Sequence, residues 1–442
     1  MSTIFAPSTA PGKAGVAVIR ISGARAGEIL TILSKKSLPE PRKAVLRHLY
    51  TPKTGEIIDN ALVLWFPAPH SFTGEDVVEL HIHGSRAIQQ ILLGSLSEQH
   101  GLRPAEGGEF TRRAFENGRM DLTQVEGLAD LIDADTARQH AQAVRQLSGG
   151  LSALLTEWRL ELIQLLAHME AYIDFPDEDL PAELEQEIQE KVRRLRDKVG
   201  TYLHDRRGEM IRRGIQVAIL GAPNAGKSSL LNWLARREVA IVSHIAGTTR
   251  DILEVQLDID GIAVTVSDTA GLRESSDSIE QEGIRRAKAR AGESDLTILL
   301  FSAETFPQID KETAAQKGPH ALQVVSKIDL NAGAEPSLPK GFIPLSTHAA
   351  ITDAFMQALT KELRALAGVD NDILFTRERH RAALTECHTE LEACLQSRGR
   401  EAPIELSSEH IRRAAQAIAR IIGTIDTEEI LDVLFGSFCI GK

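Results

Sequence analysis

The chain is poor in cysteine and in long apolar runs. Its three cysteines, Cys387, Cys394 and Cys439, have no CxxC spacing, so we expect neither a disulfide framework nor a cysteine-rich zinc site, and a reducing cytoplasm fits. No apolar run approaches the roughly 18 residues of a membrane helix, and the N-terminal segment lacks the pattern of a secretory signal. We therefore expect no membrane association.

The chain also has fewer basic than acidic residues, so its formal net charge is -12. Such a balance disfavours broad binding to a nucleic-acid backbone, so any RNA contact must be local or shared with a partner. Aromatic residues make up only 4% of the chain, which favours a helix-rich protein, and 442 residues exceed what one core usually supports. We expect two or three domains.

The hydrophobic period changes three times along the chain. Residues 1–118 contain strand-like segments such as GVAVIRIS and DVVELHIHG, which predict a small α+β domain. Residues 119–210 and 369–442 have helical periodicity, whereas in 211–368 strands alternate with helices, as in a parallel sheet with helices on both faces. The predicted fold class is therefore multidomain α/β and α, with the α/β domain inserted into a discontinuous helical domain.

One motif points to a nucleotide. Residues 221–228 read GAPNAGKS, which fits G-x-x-x-x-G-K-[ST] between the strand QVAIL and the helix SSLLNWLA. In such a phosphate loop the backbone N–H groups converge on phosphates, Lys227 supplies a charge, and the Ser228 hydroxyl can ligate Mg²⁺. The alternative, a chance glycine turn, is disfavoured by the flanking strand and helix. The residues predicted here to contact GTP are Asn224, Ala225, Gly226, Lys227, Ser228 and Ser229.

Two further segments complete the phosphate and metal site. Asp268, Thr269, Ala270 and Gly271 follow the strand IAVTVS, which places a carboxylate near the magnesium and a glycine near the γ-phosphate. A preceding loop offers a threonine hydroxyl to the metal; on spacing either of two could serve, and we assign Thr249. The loop residues predicted to contact the nucleotide are Ser243, His244, Ile245, Ala246, Gly247, Thr248 and Thr249.

Base selection is predicted from two later segments. Where guanine-specific GTPases usually carry Asn-Lys-x-Asp, the chain has Ser326, Lys327, Ile328 and Asp329. The Asp329 carboxylate can accept hydrogen bonds from N1–H and N2–H₂ of guanine, a pair that adenine lacks. We expect loss of the asparagine amide to weaken affinity modestly. A third loop, with Ser346, Thr347 and His348, should lie against the base.

The sequence leaves the attacking water without an evident partner. Leu272 follows Gly271 and cannot orient water, and the acidic stretch RESSDSIEQEG offers four carboxylates instead. The alternative interpretation of that stretch is a solvated switch helix. The candidate carboxylates are Glu274, Asp277, Glu280 and Glu282.

The whole chain resembles the bacterial tRNA-modification GTPases of the MnmE (TrmE) family. The likeness includes TIFAPSTAPGKAGVAVIRISG, SFTGEDVVELHIHG, GEFTRRAFENGRMDLTQVEGLADLIDA, FPDE, DTAGLRESSDSIEQEGI and the terminal FCIGK, in that order. It implies a K⁺-dependent GTPase in a homodimer whose G domains pair across the nucleotide. Carried over by position, K⁺ would be bound by Asn224, the carbonyls of Ser243 and Ile245, and Thr248. Glu280 would orient the water, and Ser228 and Thr249 would hold Mg²⁺.

The resemblance also implies a role for the other domains. The N-terminal domain would dimerise and bind a 5-formyl or 5,10-methylene tetrahydrofolate through Arg20, Glu79, Arg119 and Lys442, although the family more often has Lys at position 119 and Gly at position 85. In a heterotetramer with the FAD protein MnmG, it would add a carboxymethylaminomethyl or aminomethyl group to C5 of the wobble uridine, position 34, of certain tRNAs. The Cys439 thiol would lie near the modification site.

Two other functions stay open. A ribosome-assembly GTPase would share the enzyme class, but such proteins usually carry a basic RNA-binding module, and none is evident. A GTP-loaded binding switch would hydrolyse too slowly to matter. His81 and His83 share one face of a strand without a third ligand nearby, so a structural role is favoured over a metal site.

Overall fold

The computed structural model describes residues 2–174, 182–240, 254–268, 292–330, 338–349, 351–368, 375–398, 403–425 and 441. The chain divides into two compact units. The first comprises Met1–Ala129, Ser152–Ile163 and Ala415–Lys442, and the second comprises Asp130–Leu151 and Gln164–Ala414.

The first unit is built on a six-stranded sheet of order β3-β4-β5-β2-β1-β6. Strand β1 pairs antiparallel with β2 and parallel with β6. Its elements are β1 (Thr3–Pro7), β2 (Ala14–Ser22), α1 (Ala26–Ser34), β3 (Val45–Tyr50), β4 (Ile57–Phe66), β5 (Val77–Gly84), α2 (Arg86–Ser97), β6 (Leu102–Pro104), α3 (Glu109–Glu116) and α4 (Leu122–Ile132), the last of which runs across the unit boundary.

Both faces of this sheet are partly covered. Successive side chains of a strand point to opposite faces, so Phe5 joins the main core with α1 and α2, while Ile4 and Ala6 pack with Phe110 of α3. Arg20 and Glu79 lie on the α3 side because their neighbours along each strand, such as Ile19 and Leu80, belong to the main core. The α3 face therefore carries polar side chains beside a small apolar cluster.

The second unit is built on a seven-stranded sheet of order β13-β12-β11-β7-β10-β9-β8. Strands β7, β10, β11, β12 and β13 are parallel, and β9 and β8 continue the sheet antiparallel. The strands are β7 (Ile215–Gly221), β8 (Val239–Ala240), β9 (Glu254–Ile259), β10 (Ile262–Asp268), β11 (Leu296–Ser302), β12 (Ala321–Ser326) and β13 (Phe342–Pro344). The remaining helices, in chain order, are α5 (Ala137–Leu147), α6 (Gly150–Asp174), α7 (Ala182–Leu203), α8 (Arg207–Arg213), α9 (Lys227–Arg237), α10 (Lys311–Ala314), α11 (Asp353–Ala367), α12 (Glu378–Arg398) and α13 (Ile404–Ile422), of which α6 and α13 also run across the unit boundary.

The parallel strands are buried on both faces, which is why they are almost continuously apolar in sequence. Ile219 of β7 packs with Leu230 of α9 and Phe355 of α11, whereas the adjacent Leu220 packs with Phe301 on the opposite face. The predicted fold class, multidomain α/β and α, is confirmed. The domain boundaries proposed from sequence stay predictions.

An antiparallel edge was not predicted from the sequence. Strands β9 and β10 form a hairpin whose turn residues, Asp260 and Gly261, both have positive φ, of 57° and 75°. Arg364 of α11 donates to both carboxylate oxygens of Asp260, at 2.6 and 3.0 Å. The backbone N–H of Arg138, in α5, donates to the Gly261 carbonyl at 3.3 Å. The hairpin turn is therefore fixed to α5 and α11.

The predicted C-terminal helices are present as far as residue 425. Helix α12 packs on α7 and buries Cys387 and Cys394, neither of which is in a disulfide. The segment TEEILDVLFGSF, also predicted to be helical, lies outside the described residues.

Within the described ranges no helix is long and apolar enough to cross a membrane.

Candidate functional site

The phosphate loop has a backbone shape that glycine makes possible. It joins the end of β7 to α9, with Gly226 directly before the helix at φ +93° and Asn224 at φ +62°. A Cβ on Gly221 would lie 2.5 Å from the Leu300 carbonyl oxygen, so no larger residue fits there. Asn224, Ser228 and Ser229 are exposed, whereas Ala225 is buried.

Lys227 points back into its own loop. Its Nζ donates to the carbonyl oxygens of Gly221, at 2.7 Å, and Ala222, at 3.0 Å, and the side chain is buried. A cation enclosed by a loop at the N-terminus of a helix is an arrangement that favours phosphate.

The carboxyl end of β10 lies at the same edge of the sheet. Asp268 is the backbone partner of Ile219 in β7, two residues before the phosphate loop, so the two strands end side by side. Asp268 therefore ends β10 near the start of the phosphate loop. Several predicted site residues lie outside the described residues: Ser243, His244, Ile245, Ala246, Gly247, Thr248, Thr249, Thr269, Ala270, Gly271, Glu280, Cys439 and Lys442.

Three segments predicted to bind the nucleotide meet around one cavity of about 200 Å³. They are the phosphate loop with the start of α9, the base loop after β12 and the loop after β13. Ile328 of the base loop is buried and does not line the cavity. The cavity is lined by Gly226, Ser229, Leu230, Ser326, Lys327, Asp329, Leu330, Leu345, Thr347 and His348.

Asp329 is held in place as an acceptor. The Ser346 hydroxyl donates to its Oδ1 at 2.5 Å, and the same hydroxyl oxygen accepts the Ala349 N–H at 3.0 Å. The hydrogen bond from Ser346 lowers the pKa of Asp329, against a smaller opposing effect of burial. The carboxylate is therefore ionised and oriented at the cavity wall, as recognition of two N–H donors of a base requires.

The base loop is also tied to its surroundings. Lys327 has φ +58°, and its Nζ lies 2.8 Å from Glu304 Oε2. The buried Ser326 hydroxyl contacts the Ala225 carbonyl oxygen in the phosphate loop at 2.6 Å. Sequence reasoning predicted Ser326 as a site residue but did not predict this contact.

A second group of predicted residues lies in the first unit. Arg20 and Glu79 are direct partners across β2 and β5, and the guanidinium Nε and Nη2 donate to Glu79 Oε1 at 3.1 and 3.0 Å. The Arg20 guanidinium also lies 5.1 Å from the ring centre of Phe72 and 5.6 Å from that of Phe110. Both aromatic contacts were missed from the sequence, although Phe72 and Phe110 stand in segments that carry the family resemblance.

Arg119 lies beside the loop that precedes β5, and Gly441 lies beside the end of β1. A Cβ on Gly74, two residues after Phe72, would be 3.3 Å from Cγ of Arg119, so the arginine stem borders that loop. The Ser8 hydroxyl donates to the Gly441 carbonyl at 3.0 Å, one residue beyond the end of β1. Gly441 is buried, and its φ of +103° and close approach to the Pro7 carbonyl exclude a side chain.

His81 adds an unsatisfied polar atom to this region. Its Nε2 is buried, has no hydrogen-bond partner among the residues described, and lies 3.6 Å from Glu79 Oε2. His83, by contrast, is bound to Asp59, which accepts from the His83 backbone N–H at 2.7 Å and contacts its ring Nδ1 at 2.8 Å. The two histidines thus have different surroundings.

Comparison with known proteins gives likenesses over the whole chain. The family model described as the MnmE helical domain matches residues 122–439, and that of the GTP-binding protein TrmE N-terminus matches residues 3–119. The tRNA modification GTPase MnmE of Rhodospirillum rubrum is 50% identical over 459 residues and covers 100% of both chains. That of Parvibaculum lavamentivorans is 50% identical over 450 residues, and that of Rickettsia bellii 43% over 450 residues, each with 100% of both chains covered.

Two solved structures match parts of the chain. Aquifex aeolicus Era bound to GDP and AlF4⁻ is 26% identical, covering 40% of this chain and 66% of its own, with a TM-score of 0.28. The G domain of the T. maritima FeoB iron transporter is 19% identical, covering 35% of this chain and 99% of its own, with a TM-score of 0.26. At these TM-scores the likeness supports no conclusion.

Proposed function

Because this chain belongs to the MnmE family of tRNA modification GTPases, we propose that it binds and hydrolyses GTP during the modification of tRNA. One observation carries the proposal: the phosphate loop and the oriented Asp329 carboxylate border a single cavity. Lys227 and the N-terminus of α9 favour the phosphates, and Asp329 favours guanine over adenine.

The residues around the phosphates fit metal ions. Ser228 is an exposed residue directly after Lys227, and we propose that it binds Mg²⁺ together with Thr249. Asn224 is exposed and has a positive φ of 62°, and we propose it as a K⁺ ligand with the Ser243 and Ile245 carbonyls and Thr248. When bound, these cations neutralise charge that develops on the phosphates.

The water that attacks the γ-phosphate must be oriented by a residue from a segment other than the phosphate loop. We propose that Glu280 orients the water, since Leu272 cannot do so. Two copies of the chain would then meet with their G domains face to face across the nucleotide. The cation takes the place that an arginine finger has in other GTPases.

The K⁺ dependence can be tested by rate measurements. We expect GTP hydrolysis to be faster in KCl than in NaCl at equal ionic strength, because only an ion of matching size fits the proposed ligands. Asn224→Ala should remove the K⁺ stimulation while retaining affinity for GDP. Equal rates in the two salts for the wild-type chain would refute the cation-bridged reaction and favour a slow GTP-loaded switch.

We propose the first unit as the site of a tetrahydrofolate one-carbon donor, 5-formyl or 5,10-methylene. The support is chemical: Arg20 offers a guanidinium flanked by two aromatic rings, Glu79 accepts hydrogen bonds, and His81 has a buried nitrogen that a ligand could satisfy. Arg119 and Lys442 would add positive charge for the ligand's carboxylates.

A further proposal concerns the partner protein and the modified nucleoside. We propose that a homodimer acts with the FAD protein MnmG, in a heterotetramer, to add a carboxymethylaminomethyl or aminomethyl group at C5 of uridine 34. The net charge of -12 supports a division of labour in which the partner holds most of the tRNA. We propose that the reaction takes place in the cytoplasm. Nucleoside analysis of tRNA from cells lacking this chain would test the product.

A further inference from the structure

The Ser326 side chain connects two walls of the nucleotide cavity. It ends β12 and is 5% exposed. Its Oγ lies 2.6 Å from the Ala225 carbonyl oxygen of the phosphate loop and 3.1 Å from the Phe301 carbonyl oxygen of β11. The bond to Ala225 spans 101 residues of sequence and joins the loop that holds phosphate to the loop that holds the base.

The hydroxyl proton of Ser326 is already used in a hydrogen bond within the protein. A serine hydroxyl has one proton, and both neighbouring oxygens are carbonyl acceptors, so the proton must point to one of them. The Ala225 oxygen is the closer and takes the stronger bond. Turning the proton toward a ligand would break the buried hydrogen bond to Ala225, which is unfavourable.

The direction of this proton decides whether Ser326 can bind the Hoogsteen edge of guanine. That edge presents N7 and O6, which are both acceptors and need a donor from the protein. Ser326 lines the cavity but has no proton left to give. Lys327, the next residue, is paired with Glu304.

We propose that Ser326 is a positioning residue: its hydroxyl fixes the base loop to the phosphate loop through Ala225 and does not read N7 of guanine. The inference rests on the proposed binding of guanine nucleotides. Base selection then depends on Asp329, whose distance from the phosphate loop Ser326 sets.

The first arm of the test compares a nucleotide with its phosphate part. Affinities of the full-length chain are measured for GDP and for inorganic tripolyphosphate, by competition with a fluorescent GDP analogue. Ser326→Ala should weaken GDP about tenfold, as loss of a buried hydrogen bond implies, and leave tripolyphosphate within about twofold. Ser408→Ala is the matched control, because Ser408 is equally buried and donates to the Glu405 carbonyl in α13, and it should change neither affinity.

The second arm uses 7-deaza-GDP, which lacks N7. The ratio of its dissociation constant to that of GDP should be the same, within about twofold, in the wild-type chain and in Ser326→Ala. Thermal unfolding checks that the variant is folded. If it is not, Ser326→Cys, which keeps the shape but is a weak donor, takes its place.

The outcomes separate the two proposals. Failure of the wild-type chain to bind GDP would overturn the proposed function itself. Normal wild-type binding with an unchanged GDP affinity in Ser326→Ala, or with GDP and tripolyphosphate weakened equally, would overturn the positioning role. A ratio for 7-deaza-GDP that differs between wild type and variant would show that Ser326 reads N7.

Discussion

Ser346 donates a 2.5 Å hydrogen bond to Oδ1 of Asp329, and this bond is the main cause of the lowered pKa of that carboxyl. We expect Ser346→Ala to weaken GDP binding about three- to tenfold, because the carboxylate loses the group that orients it. The measurement is a GDP titration at neutral pH. Binding that is unchanged would mean that Asp329 is oriented by other contacts.

The pH dependence of the same variant has a defined sign. A carboxyl with a lowered pKa keeps its charged form until the pH falls through that lowered value, so its contribution is present above it and lost below it. Removing the Ser346 hydroxyl raises the pKa of Asp329 toward its ordinary value. GDP affinity should therefore begin to fall at a higher pH in Ser346→Ala than in the wild-type chain. A shift in the other direction would contradict the assigned cause.

Glu280→Ala tests the proposed orientation of the attacking water. We expect the rate of GTP hydrolysis to fall about 100-fold, since a positioned group contributes about this much, while GTP affinity stays within about threefold. Single-turnover hydrolysis and nucleotide titration measure the two quantities. Glu282→Ala is the matched control in the same acidic stretch, and an equal loss of rate in both variants would count against Glu280.

Arg20→Ala separates the two proposed sites. The change removes the guanidinium that binds Glu79 and lies against Phe72 and Phe110, so binding of 5-formyl-tetrahydrofolate should weaken at least tenfold. GTP hydrolysis should not change. Arg25→Ala, which removes an arginine paired with the more exposed Glu28, serves as the control in a calorimetric titration. Retained folate affinity in Arg20→Ala would place the ligand elsewhere.

The two cysteine thiols of α12 should be unreactive in the folded chain. Burial raises the pKa of Cys387 to about 12, with smaller effects of Glu386 and Glu390, and Cys394 is also buried. Because the thiolate is the reactive form, neither should react with iodoacetamide at pH 8 until the protein unfolds. Peptide mapping by mass spectrometry identifies the alkylated residues. Rapid labelling of Cys387 in the folded chain would show that α7 and α12 separate readily.

Local signals in the sequence were enough for the phosphate loop, since glycine spacing, a lysine and flanking apolar runs all lie within one short segment. Asp329 could be assigned for the same reason. The contact of Ser326 with Ala225 could not, because it depends on the order of parallel strands, and the stacking of Phe110 on Arg20 depends on the α3 face of another sheet. The β9–β10 hairpin was missed although Asp260 and Gly261 form the Asp-Gly pair typical of such turns.

The β9–β10 hairpin connects the sheet edge near the phosphate loop with α5. Strand β9 begins directly after residues 241–253, β10 ends at Asp268 beside the last residues of β7, and the turn accepts a hydrogen bond from Arg138 of α5. Coupling between two binding sites is reciprocal. If a change of nucleotide alters the free energy of the contact between the hairpin turn and α5, binding of another molecule to α5 must alter nucleotide affinity by the same free energy. A macromolecule that binds that helix and favours one state of the contact would therefore change nucleotide affinity without touching the nucleotide.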